Sequence, residues 1–281
     1  MKHARYGGRR LKNRIFKSAA IAATAFGLSW LVLILGNLVM AGFHGINADL
    51  FLKETPPPPG DEGGLSNAIL GSVVMSAIAV VIGTPIGILA GTYLAEYGRH
   101  ERLAQLIRTL NDILLSAPSI VIGLFIYELI VVPTHHFSGI AGALALAVIV
   151  IPIVVRQTEV MLLLVPNSLR EATSALGAPT AFVVRRVIWR SARAGIITGV
   201  LLAVARISGE TAPLIFTSLG NQFWSTDLNA PMASIPTAIY HMALSPYKGW
   251  HELAWAGALV ITFAVLLLNV VARIIGSEER K

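Results

Sequence analysis

Hydrophobic and polar positions along the chain switch on the scale of whole helices. Six apolar runs, Ser18–Gly42, Leu65–Ala95, Ile113–Pro133, Phe137–Val155, Ala194–Leu219 and Leu253–Ala272, stand between polar connections. A helix needs about 20 apolar residues to cross the hydrocarbon core of a bilayer, so each run reads as a candidate span. The pattern predicts an all-α membrane protein with six transmembrane helices. The second run is long enough to tilt or to continue past the interface. Within it Gly83, Gly87 and Gly91 recur every four residues, a smooth ridge for close helix contact, either inside this chain or against another subunit. Pro85 predicts a kink in that span, and Pro118 falls inside the third.

Composition agrees with this reading. Of 281 residues, 55% are hydrophobic and 13% charged, with a mean hydropathy of +0.70, which ordinary soluble domains do not reach. The absence of cysteine removes disulfides, thiolate metal sites and thiol nucleophiles. A net charge of +7 suits a nucleic-acid partner only when the basic residues form one patch. Here they are scattered through short connections, and no nucleic-acid partner is expected.

Their scatter encodes topology. Threading six spans from a cytoplasmic amino terminus places 18 of the 22 Lys and Arg residues on one side, as the excess of basic residues in cytoplasmic loops requires. Both termini are therefore expected to be cytoplasmic. The chain divides into a basic cytoplasmic tail, 1–17, a first helix, 18–42, an extracytoplasmic loop, 43–64, a five-span domain, 65–275, and a cytoplasmic tail, 276–281. A cleaved leader ending at "VMA" is the alternative for the first run, but 25 uncharged residues exceed the usual 7–15-residue signal core. "TPPPPGDEGG" in the first outside loop reads as a stiff spacer followed by a flexible turn.

The connection between the fourth and fifth spans has helical composition. Pro166, Asn167 and Ser168 supply a start signal, "SLREATSAL" is good helix former, and Gly177 with Pro179 ends it, giving a short helix at about 167–178. On helicity alone this is an interfacial connector. "EATSALG" adds more, because it resembles the EAA loop of ABC importer membrane subunits, whose pattern is Glu-Ala-Ala, three residues, then Gly. The resemblance implies a cytoplasmic coupling helix that docks in a cleft of an ATPase subunit, with Glu171 as charged anchor, Ala172 and Ala175 keeping the helix slim, and Gly177 allowing a sharp exit. Thr173 departs from the second alanine of the pattern. Downstream, Val187-Ile188-Trp189-Arg190 stands where the family carries Ile-x-Leu-Pro, which leaves the start of the fifth span open.

Two closely spaced pairs of opposite charge lie inside or beside the apolar runs. Arg206 and Glu210 are four residues apart in "ARISGETAPL", and Arg156 and Glu159 are three apart in "VVRQTEV". The spacing places each pair on one helical face, where its members can neutralise each other or jointly face a cavity, and a close approach of the two spans would join all four in one network. An ionised group at the centre of a membrane helix costs roughly 2.5–3.5 kcal/mol, so such residues either fix packing or mark an ion or substrate path. The planar arginine fork matches a tetrahedral oxyanion, and a nearby carboxylate keeps the grip weak enough for release.

"IPIVVRQTEVMLLLVPNSLREATSALGA" and "GVLLAVARISGETAPLIFTSLG" resemble the membrane subunits of the bacterial phosphate-specific (Pst) ABC importers, over about Leu65 to Ile275. That resemblance implies the ABC importer permease fold. It also implies passage of inorganic phosphate past Arg156, Arg206 and Glu210, with Glu159 beside them. It implies a homologous second membrane subunit, two ATPase subunits that bind ATP and Mg, an extracytoplasmic phosphate-binding protein, and location in the bacterial inner membrane. No G-x-x-x-x-G-K-[ST] stretch occurs in the chain, so the energy source lies in another subunit and this chain is not an enzyme by itself. Another oxyanion as cargo, a self-sufficient carrier or channel, and a non-transporting scaffold are the alternatives. His135 and His136 with Glu128 lack the facing of a zinc helix, and Glu128 points to either a subunit interface or the pathway.

Overall fold

A computed structural model describes residues 2–58, 63–99 and 101–278. Pro59 to Glu62 of the outside turn and Arg280 and Lys281 of the C-terminal tail lie outside the described residues. Those described form helices and connections, without a strand among them. Twelve helices follow in order. They are α1 Lys2–Phe43, α2 Ala48–Leu52, α3 Ser66–Tyr97, α4 Arg102–Ser116, α5 Ser119–Thr134, α6 Gly139–Leu163, α7 Asn167–Ala175, α8 Thr180–Ser191, α9 Arg193–Ile207, α10 Ala212–Thr217, α11 Ile235–Ala243 and α12 Lys248–Glu278.

Four helices, α1, α3, α6 and α12, are long and apolar enough to cross a membrane unbroken. Two bent pairs are further candidates. The axes of α4 and α5 meet at 105°, and those of α8 and α9 at 69°. Counted as one span each, they bring the number of candidate spans to six, with different boundaries for two of them. The third run was expected as one helix from Ile113 to Pro133. Ile113–Ser116 instead closes the amphipathic α4, and Pro118, in extended conformation, starts α5 after a sharp corner. Proline disfavours helix at the preceding residue and lacks the N–H a continuing helix would use. Pro85, by contrast, lies inside α3 without dividing it.

The core is α3 laid along α6, two parallel helices that are apolar all round except towards their C-terminal ends, as helices enclosed by protein and lipid are. The glycine ridge is the reason they approach so closely. A Cβ on Gly83 would come within 2.8 Å of Val150, one on Gly87 within 2.6 Å of Val154, and one on Gly91 within 2.6 Å of the Val155 carbonyl. Of the two partners open to that ridge, it is the neighbour within the same chain. Gly87→Val should therefore overpack the seam and cost about 1–3 kcal/mol. Thermal unfolding of the detergent-solubilised subunit checks this, and an unchanged midpoint would contradict the close approach.

The end of the molecule opposite α7 is tied by polar contacts. The first N–H groups of α6 have no intrahelical partner, and those of Ser138, Gly139 and Ile140 donate to the carbonyls of Thr217, Ala230 and Leu228. Ser234 caps α11 reciprocally with Thr237. Trp250 donates to the Pro56 carbonyl at 3.2 Å, fixing the start of the Pro-rich turn. The N-terminal helix α1 stands apart, touching α12 near Gly42, where a Cβ would meet the Trp255 carbonyl and Leu259. Both ends of the described chain lie at the α7 end, since α1 runs antiparallel to α12.

Candidate translocation path and coupling helix

Arg206 occupies the last turn of α9, the negative end of the helix dipole, which favours a cation. This helix end offsets part of the cost of a guanidinium at that position. The chain then leaves the helix at Ser208-Gly209-Glu210-Thr211 and re-enters it at α10, with Pro213 in the first turn. Pro213 has no N–H to offer the Gly209 carbonyl, and glycine is a poor helix former, so the break is written into Gly209 and Pro213 together.

The expectation that Arg206 and Glu210 share one helical face is corrected by this break. Four-residue spacing places side chains together only on continuous helix, and Glu210 stands beyond the end of α9. Arg206 is exposed, Glu210 is half-buried, and no ion pair joins them among the described residues. Irregular backbone at membrane depth is tolerated where protein encloses it or where it lines a water-filled cavity. Broken helices of this kind, with their ends aimed at the transported species, are how many transporters build their sites.

The four charges also do not form one network. The helix α9 runs antiparallel to α6, with Gly195 against Met161 and Gly199 against Gln157. Arg206 therefore lies about six residues beyond the level of Arg156, roughly 9 Å along the helix axis at 1.5 Å per residue. The cluster that does form is Arg108–Glu159–Arg156. Glu159 is 6% exposed and accepts from Arg108 Nε at 2.7 Å, while Arg156 Nη1 lies 3.8 Å from its other oxygen. Arg108 also donates to the Leu94 carbonyl at 2.8 Å. The first claim on the buried carboxylate thus belongs to α4, and Arg156, 54% exposed, keeps most of its charge for the outside of the chain.

The short helix α7 projects from the fold with no buried residue, and Leu176 just past its end is 88% exposed. Glu171, Ala172 and Ala175 are all exposed. Gly177 takes φ = 81°, the left-handed conformation that lets the chain turn out of the helix without a Cβ penalty. Inward, Arg170 Nη2 reaches Glu96 Oε1 at 2.7 Å. The departure at Val187-Ile188-Trp189-Arg190 also has a place: Ile188 is buried, and Trp189 Nε1 donates to Thr92 Oγ1 at 3.0 Å. The Ala192 corner divides the fifth candidate span into α8 and α9.

Sequence reading missed Arg108, Glu96 and the inward role of Arg170. Arg108 and Arg170 carried a signal as cations in helices with a polar face, yet their carboxylate partners lie 51 and 74 residues away. Glu128 is exposed on α5. No group of three or more His, Asp or Glu side chains able to hold a metal occurs among the described residues.

Comparison with known proteins supplies the family. The family described as "Binding-protein-dependent transport system inner membrane component" matches residues 83–277. The "Phosphate transport system permease protein PstA" of Pasteurella multocida is 57% identical over 281 residues, spanning 100% of both chains. The protein of the same name from Yersinia pestis is 54% identical over 97% of this chain and 92% of its own. In fold, a chain of a bacterial alginate ABC transporter in complex with its periplasmic protein aligns with a TM-score of 0.62 at 13% identity, covering 95% of each chain. A chain of the inward-facing MetNI methionine ABC transporter aligns at 0.58 and 19% identity, over 75% of this chain and 92% of that one. The chain therefore belongs to the binding-protein-dependent transport system inner membrane components, and within them to the PstA permeases.

Proposed function

We propose that this chain is the membrane subunit of an ATP-driven importer in the bacterial cytoplasmic membrane and lines half of a route for inorganic phosphate. The observation that carries the proposal is Arg206: a cation at the broken end of a membrane helix, exposed on the outside of the chain, in a relative of proteins named for phosphate transport. An arginine facing acyl chains is costly, so its exposed side calls for a neighbour. A homologous second membrane subunit supplies that neighbour, and the route runs between the two.

Within that route Arg206 and Arg156 attract the oxyanion, while Glu210 and Glu159 limit how tightly it is held. The α7 end faces the cytoplasm, in keeping with the basic residues gathered there. Glu171, Ala172, Ala175 and Gly177 engage one of two ATPase subunits, which hold ATP and Mg. A phosphate-binding protein delivers its cargo at the opposite end. In lipid vesicles the full complex should accumulate phosphate only with ATP, without competition from sulfate or molybdate. A cysteine at Ala175 should crosslink to the ATPase. Uptake without ATP, preference for another oxyanion, or no crosslink along 171–177 would each overturn the corresponding part.

A further inference from the structure

The segment that leaves α7 most exposed also holds its least exposed charge. Arg170 is 15% exposed and Glu96 6%. The guanidinium meets the carboxylate with two bonds, Nη2 to Oε1 at 2.7 Å and Nε to Oε2 at 3.2 Å. Nη2 also donates to the Leu162 carbonyl at 2.7 Å, and Nη1 to the Val165 carbonyl and to Asn167 Oδ1 at 3.3 Å. One side chain therefore joins the end of α3, the last turn of α6, the link after α6 and the first residue of α7.

The end of α3 where Glu96 sits is a π-helical turn, Tyr93–Tyr97. Such turns are rare and gather at functional positions. The same end receives Trp189 of α8 through Thr92. Covalent continuity offers a poorer route for force, because α7 leaves through Gly177 at positive φ and enters through a short non-helical link at Pro166. A two-bond arginine–carboxylate fork has fixed geometry, which a single charge contact lacks.

We infer that the Arg170–Glu96 pair is the joint through which motion of α7 reaches the α3–α6 seam, so that both act as positioning residues for coupling. The inference rests on the proposed docking of α7 on an ATPase. Because the glycine ridge holds α3 against α6 along their length, a push at the joint moves the two helices together, and Arg156 and Glu159 with them.

The test uses the complete complex in vesicles, reading phosphate imported per ATP hydrolysed. Arg170→Ala and Glu96→Gln should each lower that ratio about tenfold, the size expected when a coupling contact is lost. Arg170→Lys, which keeps the charge and loses the fork, should fall between. The chain has no cysteine of its own, so Glu96→Cys with Arg170→Cys, bridged by a short bifunctional thiol reagent, should bring the ratio back toward wild type. That recovery separates a joint from a merely structural contact, and it decides the matter if Arg170→Ala fails to assemble. A wild-type ratio in Arg170→Ala, or a bridged pair that stays uncoupled, overturns the inference. The wild-type complex in the same assay tests the importer reading separately.

Discussion

Replacing Arg206 with glutamine should abolish phosphate uptake while leaving the subunit in the membrane at its normal level. The two halves of that expectation come from the same feature. Arg206 is exposed on this chain and joins no ion pair among the described residues, so the fold loses no ion pair when its charge is removed. What the fold does lose is the favourable placement of a cation at the negative end of the α9 dipole, worth typically about 0.3–1 kcal/mol. On the proposed reading an anion in the route loses far more, since a charge-assisted fork in a low-dielectric channel would be the chief attraction offered to it. A drop of at least about tenfold in uptake corresponds to roughly 1.4 kcal/mol of lost stabilisation. Radiolabelled phosphate uptake, normalised to assembled complex, measures the effect. Wild-type uptake in Arg206→Gln would remove the guanidinium from the pathway.

How far the fold was legible depended on whether its causes were local. Six apolar runs are local facts, and so is the α7 signature, with its start at Pro166 and its end at Gly177. The break after Arg206 is local too: Gly209 and Pro213 stand in plain view, but the surrounding hydrophobicity invites reading one helix through them. Apolar content reports membrane depth and says little about backbone continuity within it. The corner at Pro118 was hidden in the same way, because Ile113–Ser116 is apolar enough to join the next run while belonging to α4.

The ion pairs were illegible for a different reason. Positive charges near span ends mark topology, which accounts for Arg99, Arg102 and most of the others. Arg108 and Arg170 meet the same rule and yet turn inward, because carboxylates buried on α6 and α3 would otherwise stand uncompensated. Nothing in the local sequence of Arg108 distinguishes it from Arg102. Only the packing of α4 across α6 does. The sequence pairing of Arg156 with Glu159 was sound in spacing and wrong in rank, since a side chain 51 residues away approaches the carboxylate more closely.

That rank sets the second large effect, on stability. Arg108→Gln should strongly destabilise the subunit, because it leaves the Glu159 carboxylate, only 6% exposed, with Arg156 at 3.8 Å as its remaining cation. Removing one partner of a fully buried ion pair typically costs about 3–5 kcal/mol; with Arg108 27% exposed and Arg156 still beside Glu159, the loss should fall at or below the lower end of that range. The same reasoning predicts that Glu159→Gln in the Arg108→Gln background recovers much of the loss, since two neutral amides can hydrogen-bond to each other without leaving a buried charge short of its nearer partner. A double-mutant cycle on thermal unfolding in detergent, at one lipid and salt composition, yields the coupling between the two positions. Any Arg108→Gln subunit that reaches the membrane should also transport poorly if Arg156 serves the proposed route, because Arg156 is then drawn inward to Glu159. Stability should thus fall in the single variant and recover in the double, whereas uptake should stay impaired in the double, which lacks the Glu159 carboxylate proposed to limit the hold on the anion. If the two losses simply add in the cycle, Arg108 and Glu159 are not partners in the assembled protein, and the charge on Arg156 is set by something other than α4.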